Sequence, residues 1–300
     1  MTDAPATTPT FSNGLSLFAR DIKISHTVFA MPWALLSTFL AAGGFPRLGD
    51  LGLIILCMIT ARTFAMSSNR LLDAELDSRN PRTAGRAIPS GKLSRTFYLT
   101  ALAACSLAFI AATSLFWFLN RNPWPIMLSI PVLVFVAIYP LLKRFTRLCH
   151  YYLGAALGLA PVCAWIAINP HLGLIPIHIG IAVLLWTAGF DIIYACQDYQ
   201  SDLATGVVSI PVKFGIGPAL WIARLTHLLS FWAMLIVGFH SPQLGILYLI
   251  GVGCAGILLI VEHSLVKPTD LSKAGIAFFT MNGIISLLVG TLGIIDVLRH

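Results

Sequence analysis

The sequence predicts an all-α integral membrane protein with nine transmembrane helices, and two observations lead to this prediction. The first is composition: hydrophobic residues make up 57% of the 300 residues, charged residues only 10%, and the mean hydropathy is +0.85. A soluble domain of this length could not bury so much apolar surface and still present a polar exterior to water. The second is that apolar runs of about 20 residues, the length needed to cross a bilayer, recur along the whole chain.

The nine apolar runs are expected to be helices, because lipid offers no partner to open backbone groups and because the runs are too long for barrel strands. Their expected boundaries are 25–45, 51–70, 95–118, 125–142, 151–169, 177–197, 218–238, 244–264 and 275–297. Residues 1–20 contain no such run and are expected to form a flexible tail, so residues 21–300 form a single polytopic domain. The expected environment of that domain is the lipid bilayer.

Basic residues are distributed unevenly between the two sides that nine spans would define. The N-terminal segment and the even-numbered loops contain Arg20, Lys23, Arg79, Arg82, Arg86, Lys92, Arg95, Lys143, Arg144, Arg147, Lys213, Lys267 and Lys273. The opposite side contains Arg47, Arg121 and Arg299. Because cytoplasmic loops are enriched in lysine and arginine, we expect an inner (plasma) membrane protein with a cytoplasmic N-terminus and an external C-terminus. The net charge of +7 is then a topology signal, and no nucleic-acid partner is expected.

Six of the twelve acidic residues lie in two short stretches of the chain. In the first stretch, Asn69, Asp73 and Asp77 follow one another at four-residue steps. Each step advances an α-helix by about 400°, so the three side chains drift by only about 40° per step. They should form one oxygen-bearing stripe at the cytoplasmic end of the second predicted helix.

The second stretch contains Asp191, Asp198 and Asp202, with Tyr194 between the first two acids. On a continuous helix, offsets of seven and eleven residues return these carboxylates to within about 40° of one another. This second stripe should end the sixth predicted helix, on the same side of the membrane as the first stripe.

A single acid near a helix end is usually a solvated cap or the partner of a loop arginine. Acids that share one stripe, two in the first and three in the second, repel one another unless a cation lies among them. Mg²⁺ suits such a stripe, because it takes carboxylate oxygens and leaves positions open for substrate phosphates. A cation-coupled secondary transporter would also use acids inside its spans, so the neighbouring loops must discriminate between the two functions.

Each acidic stripe is followed by a turn-rich loop that carries basic residues. The first loop contains Arg82 and Arg86, and the second, residues 206–215, contains Lys213. Guanidinium groups bind phosphate oxygens in a bidentate manner. Transporter sites tend to lie near the bilayer midplane, whereas these acids cluster at helix ends beside arginines. The combination favours a metal–diphosphate site over a transported ion.

Together these residues resemble the motifs of the UbiA superfamily of aromatic prenyltransferases, over about residues 23–215. The resemblance rests on Asn69, Asp73 and Asp77; on Arg82 to Gly91; on Asp191, Tyr194, Asp198 and Asp202; and on the segments Tyr139–Thr146 and Leu153–Gly158. Two positions depart from the common pattern. Arg70 stands where many members have Asp, and Ala87 stands where many have Pro.

The resemblance implies a nine-helix bundle with its active site at the cytoplasmic end. It also implies Mg²⁺-dependent transfer of a polyprenyl group from polyprenyl diphosphate to an aromatic acid acceptor. The acceptor would be 4-hydroxybenzoate or a related hydroxynaphthoate, in ubiquinone or menaquinone biosynthesis. The implied metal ligands are Asn69, Asp73, Asp77, Asp198 and Asp202. The implied catalytic acids are Asp73, Asp77, Asp191, Asp198 and Asp202.

The substrate-binding candidates are Arg62, Arg82, Arg86, Lys143, Tyr194 and Lys213. Arg62 lies seven residues before Asn69, which places it within about 20° of the first stripe and deeper in the bilayer. A buried arginine without a partner is costly. Arg62 is therefore either a counter-charge for the acids or a ligand for the acceptor's carboxylate. The histidines, including His150, show no paired metal spacing, and we expect no catalytic role for them.

Overall fold

The computed structural model describes residues 11–23, 27 and 29–300, and its regular elements over this range are helices. In chain order they are α1 (Phe11–Asp21), α2 (Met31–Ala42), α3 (Leu48–Arg79), α4 (Arg95–Asn120), α5 (Trp124–Leu142), α6 (Cys149–Ile168), α7 (Leu174–Ala195), α8 (Tyr199–Thr205), α9 (Ile210–Phe214), α10 (Ile216–His240), α11 (Ile246–Leu265), α12 (Ala274–Ile276) and α13 (Asn282–Arg299). A 3₁₀ turn (Cys196–Asp198) joins α7 to α8, and a π-helical turn (Ala277–Met281) joins α12 to α13.

Eight helical stretches of the described residues are long and apolar enough to cross a membrane. They match the second to ninth predicted spans and confirm the fold class. The first predicted span, 25–45, corresponds to α2, whose 12 residues are fewer than the roughly 20 that cross a bilayer. Residues 25, 26 and 28 of that span lie outside the described residues. The count of nine spans is therefore not confirmed.

The N-terminal segment is more ordered than its composition indicated. Residues 1–10 of the predicted tail lie outside the described part of the chain. Residues 11–20, however, belong to helix α1, and Phe18 is buried against Phe97 and Tyr98 of α4, with ring centroids 5.4 and 5.2 Å away. Such aromatic packing stabilises a short helix that propensity alone would leave marginal. The predicted flexible tail therefore does not extend through residues 11–20.

The long helices bring their acid-bearing and base-bearing ends together at one end of the bundle. There the backbone N–H of Val208 donates to the carbonyl of Lys143 at 2.7 Å, which ties the connection after α8 to the end of α5. We call this the basic end, and define it by loops 80–94, 143–148 and 206–209. At the opposite end, the Asn122 side chain bonds the carbonyl of Ile166 at 2.7 Å.

Helices α6 and α7 pack with their backbones almost in contact, because glycines line their interface. A Cβ atom at Gly154 would lie 2.2 Å from the carbonyl oxygen of Leu184, and one at Gly158 would lie 2.5 Å from that of Gly180. Small residues permit this close approach between membrane helices. The packing fixes the first turn of α6 against the last turns of α7, where His150 and Asp191 lie.

Large apolar side chains cover much of the outer surface of the bundle, as expected where the surroundings are lipid. Exposed examples are Leu107, Phe118, Trp221, Phe239 and Ile260. The interior contains a cluster of buried aromatic and aliphatic side chains that includes Trp33, Leu36, Trp186, Phe190, Tyr248 and Ile285. Apolar residues therefore lie both inside and outside, which explains why the spans show little amphipathic pattern.

Candidate functional site

A cavity of about 430 Å³ opens at the basic end of the bundle. Near its mouth it is lined by residues from the ends of α3, α5, α6 and α7 and from loop 80–94, most of them charged or polar. Further in, the lining is mainly apolar and includes Ile54, Phe109, Phe116, Pro125, Leu128 and Val132. The site thus combines a charged entrance with an apolar interior.

Asp73 is the most enclosed acid of the first stripe, with a side chain only 1% exposed. Its Oδ2 accepts hydrogen bonds from Lys143 Nζ at 2.6 Å and from Asn69 Nδ2 at 2.9 Å. Its Oδ1 is buried and has no hydrogen-bond partner among the described residues. An unsatisfied buried carboxylate oxygen is costly, so Asp73 is suited to a cation that enters the cavity.

Asp77, one helical turn further along α3, is paired with the loop that follows. Arg86 Nη1 lies 2.6 and 2.7 Å from the two carboxylate oxygens of Asp77. The loop returns to the helix because Thr83 Oγ1 also donates to the Asp77 carbonyl at 3.1 Å. Both Asp77 and Arg86 line the cavity, so this acid and this guanidinium lie beside the space that a substrate would enter.

Arg82 connects the two acidic helix ends across the cavity. Its Nε donates to Asp198 Oδ1 at 2.7 Å, its Nη2 bonds the other oxygen of Asp198, and its Nη1 donates to the Tyr194 hydroxyl at 2.8 Å. Burial alone would lower the pKa of Arg82, but the hydrogen bond and charge of Asp198 outweigh that effect and raise the pKa. Arg82 is therefore a permanent cation between the two acidic ends.

The second acidic stretch does not lie on one continuous α-helix, contrary to the sequence prediction. Helix α7 ends at Ala195 and the 3₁₀ turn follows, with about 3.0 residues per turn instead of 3.6. The calculated phase of Asp191, Asp198 and Asp202 therefore does not hold through the turn. All three nevertheless line the same cavity, and no hydrogen bond of the Asp202 side chain is found within the described residues.

His150 is a site residue that the sequence did not reveal. Its Nδ1 lies 2.7 Å from Asp191 Oδ2, and its Nε2 accepts the backbone N–H of Ile210 at 3.4 Å. The shorter contact is that of an Nδ1–H that donates to the Asp191 carboxylate. No metal spacing or motif marks His150. The available signal is the glycine-lined interface of α6 and α7, which can be recognised only once the two helices are known to be neighbours.

The remaining predicted residues divide between the cavity and the surface. Arg62 lines the cavity, and its Nε is buried without a hydrogen-bond partner in the described part of the chain. Tyr194 lines the cavity beside Arg82. Lys213, by contrast, is an exposed residue of α9 and does not line the cavity. The structure thus brings together every predicted site residue except Lys213.

The oxygen donors of the cavity suit a divalent cation whose coordination shell is completed by substrate phosphates and water. In the described residues, no group of three or more histidine, cysteine or acidic side chains could hold a metal alone. Mg²⁺ is usually bound through one or two carboxylates with substrate phosphates and water, so no such group is required. The buried unpartnered oxygen of Asp73 supports this fit. Asn69 fits less well, because its Oδ1 already accepts a hydrogen bond from Arg70 Nη1 at 2.8 Å.

Comparison with known proteins identifies the family. Residues 30–284 match the model of the UbiA prenyltransferase family. The chain belongs to this family. Membership makes the protein a prenyltransferase, so the transporter alternative is not retained.

Relatives of known name and structure cover almost the whole chain. A 4-hydroxybenzoate octaprenyltransferase of Photobacterium profundum is 31% identical over 268 residues, covering 89% of this chain and 90% of the relative. The apo structure of a UbiA homologue from Aeropyrum pernix K1 has a TM-score of 0.78 at 27% identity, covering 91% and 98%. A UbiA homologue from Archaeoglobus fulgidus, bound to GPP and Mg²⁺, has the same fold, with a TM-score of 0.70 at 20% identity, covering 95% and 100%.

Proposed function

We propose that the protein transfers a polyprenyl group from polyprenyl diphosphate to an aromatic acid in quinone biosynthesis, with Mg²⁺ as cofactor. The main support for this proposal is that two acid-bearing helix ends face one cavity and are joined by Arg82. The acceptor class, 4-hydroxybenzoate or a related hydroxynaphthoate, is supported by the name of the Photobacterium relative. Mg²⁺ is supported by the oxygen donors of the cavity and by the ion in the Archaeoglobus structure.

The acids and bases of the cavity have complementary roles in this reaction. Asp73, Asp77, Asp198 and Asp202 would hold Mg²⁺, and Asn69 would orient Asp73 through its hydrogen bond. When bound, Mg²⁺ neutralises the charge that develops on the diphosphate leaving group. The ion pairs now present, such as Arg86 with Asp77 and Lys143 with Asp73, keep each base beside the place where phosphate oxygens would lie.

The basic residues promote departure of the diphosphate. The bond that breaks joins the allylic carbon of the prenyl group to a diphosphate oxygen, and its electron pair leaves with that oxygen. Arg82, Arg86 and Lys143 would donate hydrogen bonds that strengthen as this negative charge grows. Lys213 is not retained in this role, because it lies outside the cavity.

The apolar interior suits the prenyl chain and the cation that it forms. Side chains such as Phe109, Phe116 and Val132 exclude water, which would otherwise capture the carbocation as an alcohol. We expect the distal part of the chain to leave between helices into lipid, so the cavity need not contain its whole length.

The acceptor would bind next to the deeper polar groups. A ring carbon of the acceptor forms the new carbon–carbon bond, and the proton on that carbon must then pass to a base. Asp191 is placed for this step, because its Oδ2 is held by His150 while the residue lines the cavity. The unpartnered Nε of Arg62 is available for the acceptor's carboxylate, so this arginine is an anion-binding group rather than only a counter-charge.

We further propose that the basic end is cytoplasmic, with the N-terminus on that side and the C-terminus outside the inner membrane. The concentration of lysine and arginine in loops 80–94 and 143–148 supports this orientation. A water-soluble aromatic acid could then enter the cavity directly from the cytoplasm.

The experiment is an incubation of the reconstituted protein with radiolabelled polyprenyl diphosphate, Mg²⁺ and a panel of aromatic acids. We expect a lipid-soluble product whose mass equals that of prenyl group plus acceptor minus one hydrogen, and we expect it to disappear with EDTA. Product mass spectrometry identifies the preferred acceptor. The absence of product with every acceptor, or undiminished product without divalent cation, would overturn the proposal.

A further inference from the structure

Asp21, the last residue of α1, is a buried hydrogen-bond centre outside the cavity. Its side chain is 8% exposed, and its Oδ2 accepts from Arg70 Nε at 3.0 Å and from the Tyr98 hydroxyl at 2.5 Å. Its Oδ1 accepts the backbone N–H of Ala87 at 2.9 Å, and its carbonyl accepts from Arg70 Nη2 at 2.6 Å. One residue thus joins α1, α3, α4 and loop 80–94.

The first route from Asp21 leads to Asp73. Arg70, held at Nε and Nη2 by Asp21, uses Nη1 to bond Asn69 Oδ1 at 2.8 Å. That bond fixes the orientation of the amide, because its oxygen faces Arg70 and its nitrogen must face the other way. Asn69 Nδ2 then donates to Asp73 Oδ2 at 2.9 Å. The carboxylate with the unpartnered buried oxygen is therefore oriented by a chain of charged and amide groups that begins on α1.

The second route from Asp21 leads to Asp77. The hydrogen bond to the Ala87 nitrogen holds loop 80–94 at the residue next to Arg86. Arg86 in turn bonds both oxygens of Asp77. Asp21 therefore reaches both carboxylates of the first stripe, although it does not itself line the cavity.

Charge gives Asp21 a second role. The Arg70 side chain is only 3% exposed, and Arg86 and Arg62 carry like charge nearby. Removing one partner of a buried ion pair leaves an uncompensated charge, which is strongly unfavourable. Without Asp21, Arg70 would be drawn to the remaining carboxylates of the stripe and would compete with the cation that they bind.

We propose that Asp21 is a positioning residue that sets the affinity of the first acidic helix end for metal and diphosphate, through Arg70 and through loop 80–94. This inference rests on the proposed function of the cavity. Residue 21 precedes the segment 30–284 that matches the family model, so the helix that completes the site lies before the matched segment. Asp21 also explains why an arginine is tolerated at position 70, because Asp21 compensates the charge of Arg70 without any substrate.

The test is equilibrium binding of radiolabelled polyprenyl diphosphate, without acceptor, to the full chain in nanodiscs over a range of Mg²⁺ concentrations. For Asp21→Asn we expect the Kd of the diphosphate to rise about tenfold, since a hydrogen-bonded charge is lost. The Mg²⁺ concentration for half-maximal binding should rise with it, and in turnover assays the KM of the acceptor should not change. The matched control is Arg20→Gln, an exposed neighbour on the same helix, which should bind as the wild type does.

The double variant Asp21→Asn/Arg70→Gln distinguishes positioning from general destabilisation. Because it removes the unpaired guanidinium, it should bind more tightly than Asp21→Asn alone. If Asp21→Asn does not fold, Tyr98→Phe removes one hydrogen bond to Asp21 and should raise the Kd about threefold. Wild-type binding by Asp21→Asn, or no recovery in the double variant, would overturn the inference. Failure of the wild type itself to bind would instead overturn the proposed function, and the inference with it.

Discussion

The two acidic helix ends have similar side chains but are built differently. Asp73 and Asp77 lie on the uninterrupted helix α3, and each is bonded to a base, Lys143 or Arg86. Asp198 lies in a 3₁₀ turn, its side chain is 14% exposed against 1% for Asp73, and its main partner, Arg82, comes from the loop of the first end. The first end is preorganised by its own surroundings, whereas the second is held mainly across the cavity.

This difference indicates how the site can close on a substrate. A rigid end holds the groups that bind metal and diphosphate in fixed positions. Such preorganisation is the condition for electrostatic stabilisation of a leaving group. The second end is held by side chains of loop 80–94, since Asn80 Nδ2 donates to Asp198 Oδ1 at 2.9 Å beside Arg82. Such an end can adjust when Arg82 turns to phosphate. Substitutions at the two ends should therefore differ in what they change as well as in how much.

The largest effects are expected from the acids themselves. Asp73→Ala or Asp198→Ala should lower turnover about a thousandfold, because each removes a carboxylate for the cation that stabilises the leaving group. Prenyl transfer measured in reconstituted vesicles provides the test. Circular dichroism and membrane fractionation should show that both variants insert and fold. Normal Mg²⁺-dependent turnover in either variant would contradict a site that uses both ends.

The next largest effect should follow from the arginine that joins the ends. Arg82→Gln should lower kcat/KM for the diphosphate about a hundredfold, and Arg82→Lys should recover only part of it, because a lysine cannot bond bidentately. Arg79→Gln is the matched control, since Arg79 is an exposed residue that pairs with Glu75 on the surface. If Arg82→Lys restored full activity, the fork geometry would not matter, and the two ends would not depend on this connection.

A smaller effect is expected from pH, through Lys23 at the cavity mouth. Burial first, and then the charges of Arg86, Arg82 and Arg70, lower the pKa of Lys23 from 10.5 to about 8. Below about pH 8 the ammonium is charged in both folded and unfolded chains, and its unfavourable burial is fully present. Between about pH 8 and 10.5 the unfolded chain binds more protons, so the contribution of this group to stability rises with pH.

In the folded enzyme the same titration weakens diphosphate binding as the pH rises. The KM of the diphosphate should increase about fivefold between pH 7 and 9, because an attractive charge is lost near the anion. Lys23→Gln should have the higher KM at pH 7, should approach the wild-type KM at pH 9, and should therefore show a flatter profile. The exposed Lys92→Gln serves as control. An unchanged pH profile in Lys23→Gln would exclude Lys23 as the titrating group.

The smallest effect should come from Lys213, the exposed lysine of α9 that lies outside the cavity. Lys213→Ala should change kcat and KM by less than about twofold, because an exposed charge outside the site is screened by salt. Steady-state kinetics alongside Arg82→Gln gives the comparison. A loss as large as that of Arg82→Gln would mean that α9 moves toward the cavity during the reaction.

Composition and span length were sufficient to predict the fold class, because both follow from the thickness of the bilayer. Four-residue spacing was also sufficient to predict that Asn69, Asp73 and Asp77 lie on one face of a helix. They do line one cavity, since α3 continues through them without a break. The same reasoning failed in detail for the second stripe, where a 3₁₀ turn changes the phase. Helical spacing also did not predict the packing of Phe18 in α1 against Phe97 and Tyr98 of α4.

The pairings between elements could not be predicted from the sequence. Arg82 and Asp198 are 116 residues apart, and His150 and Asp191 are 41 residues apart. Helical periodicity locates a side chain on its own helix but does not say which helix lies opposite. The contact of His150 with Asp191 depends on the close approach of α6 and α7, and the exposure of Lys213 depends on how α9 is placed after Val208.

The central claim, that both acidic ends act on one diphosphate, is tested most directly by a double-mutant binding cycle. Polyprenyl diphosphate binding is measured with and without Mg²⁺ for the wild type, Asp73→Asn, Asp198→Asn and the double variant. We predict that each single variant loses the Mg²⁺-dependent part of the affinity and that the double variant loses little more, because the two groups serve one complex. Losses that simply add, or single variants that keep Mg²⁺-dependent binding, would contradict the claim.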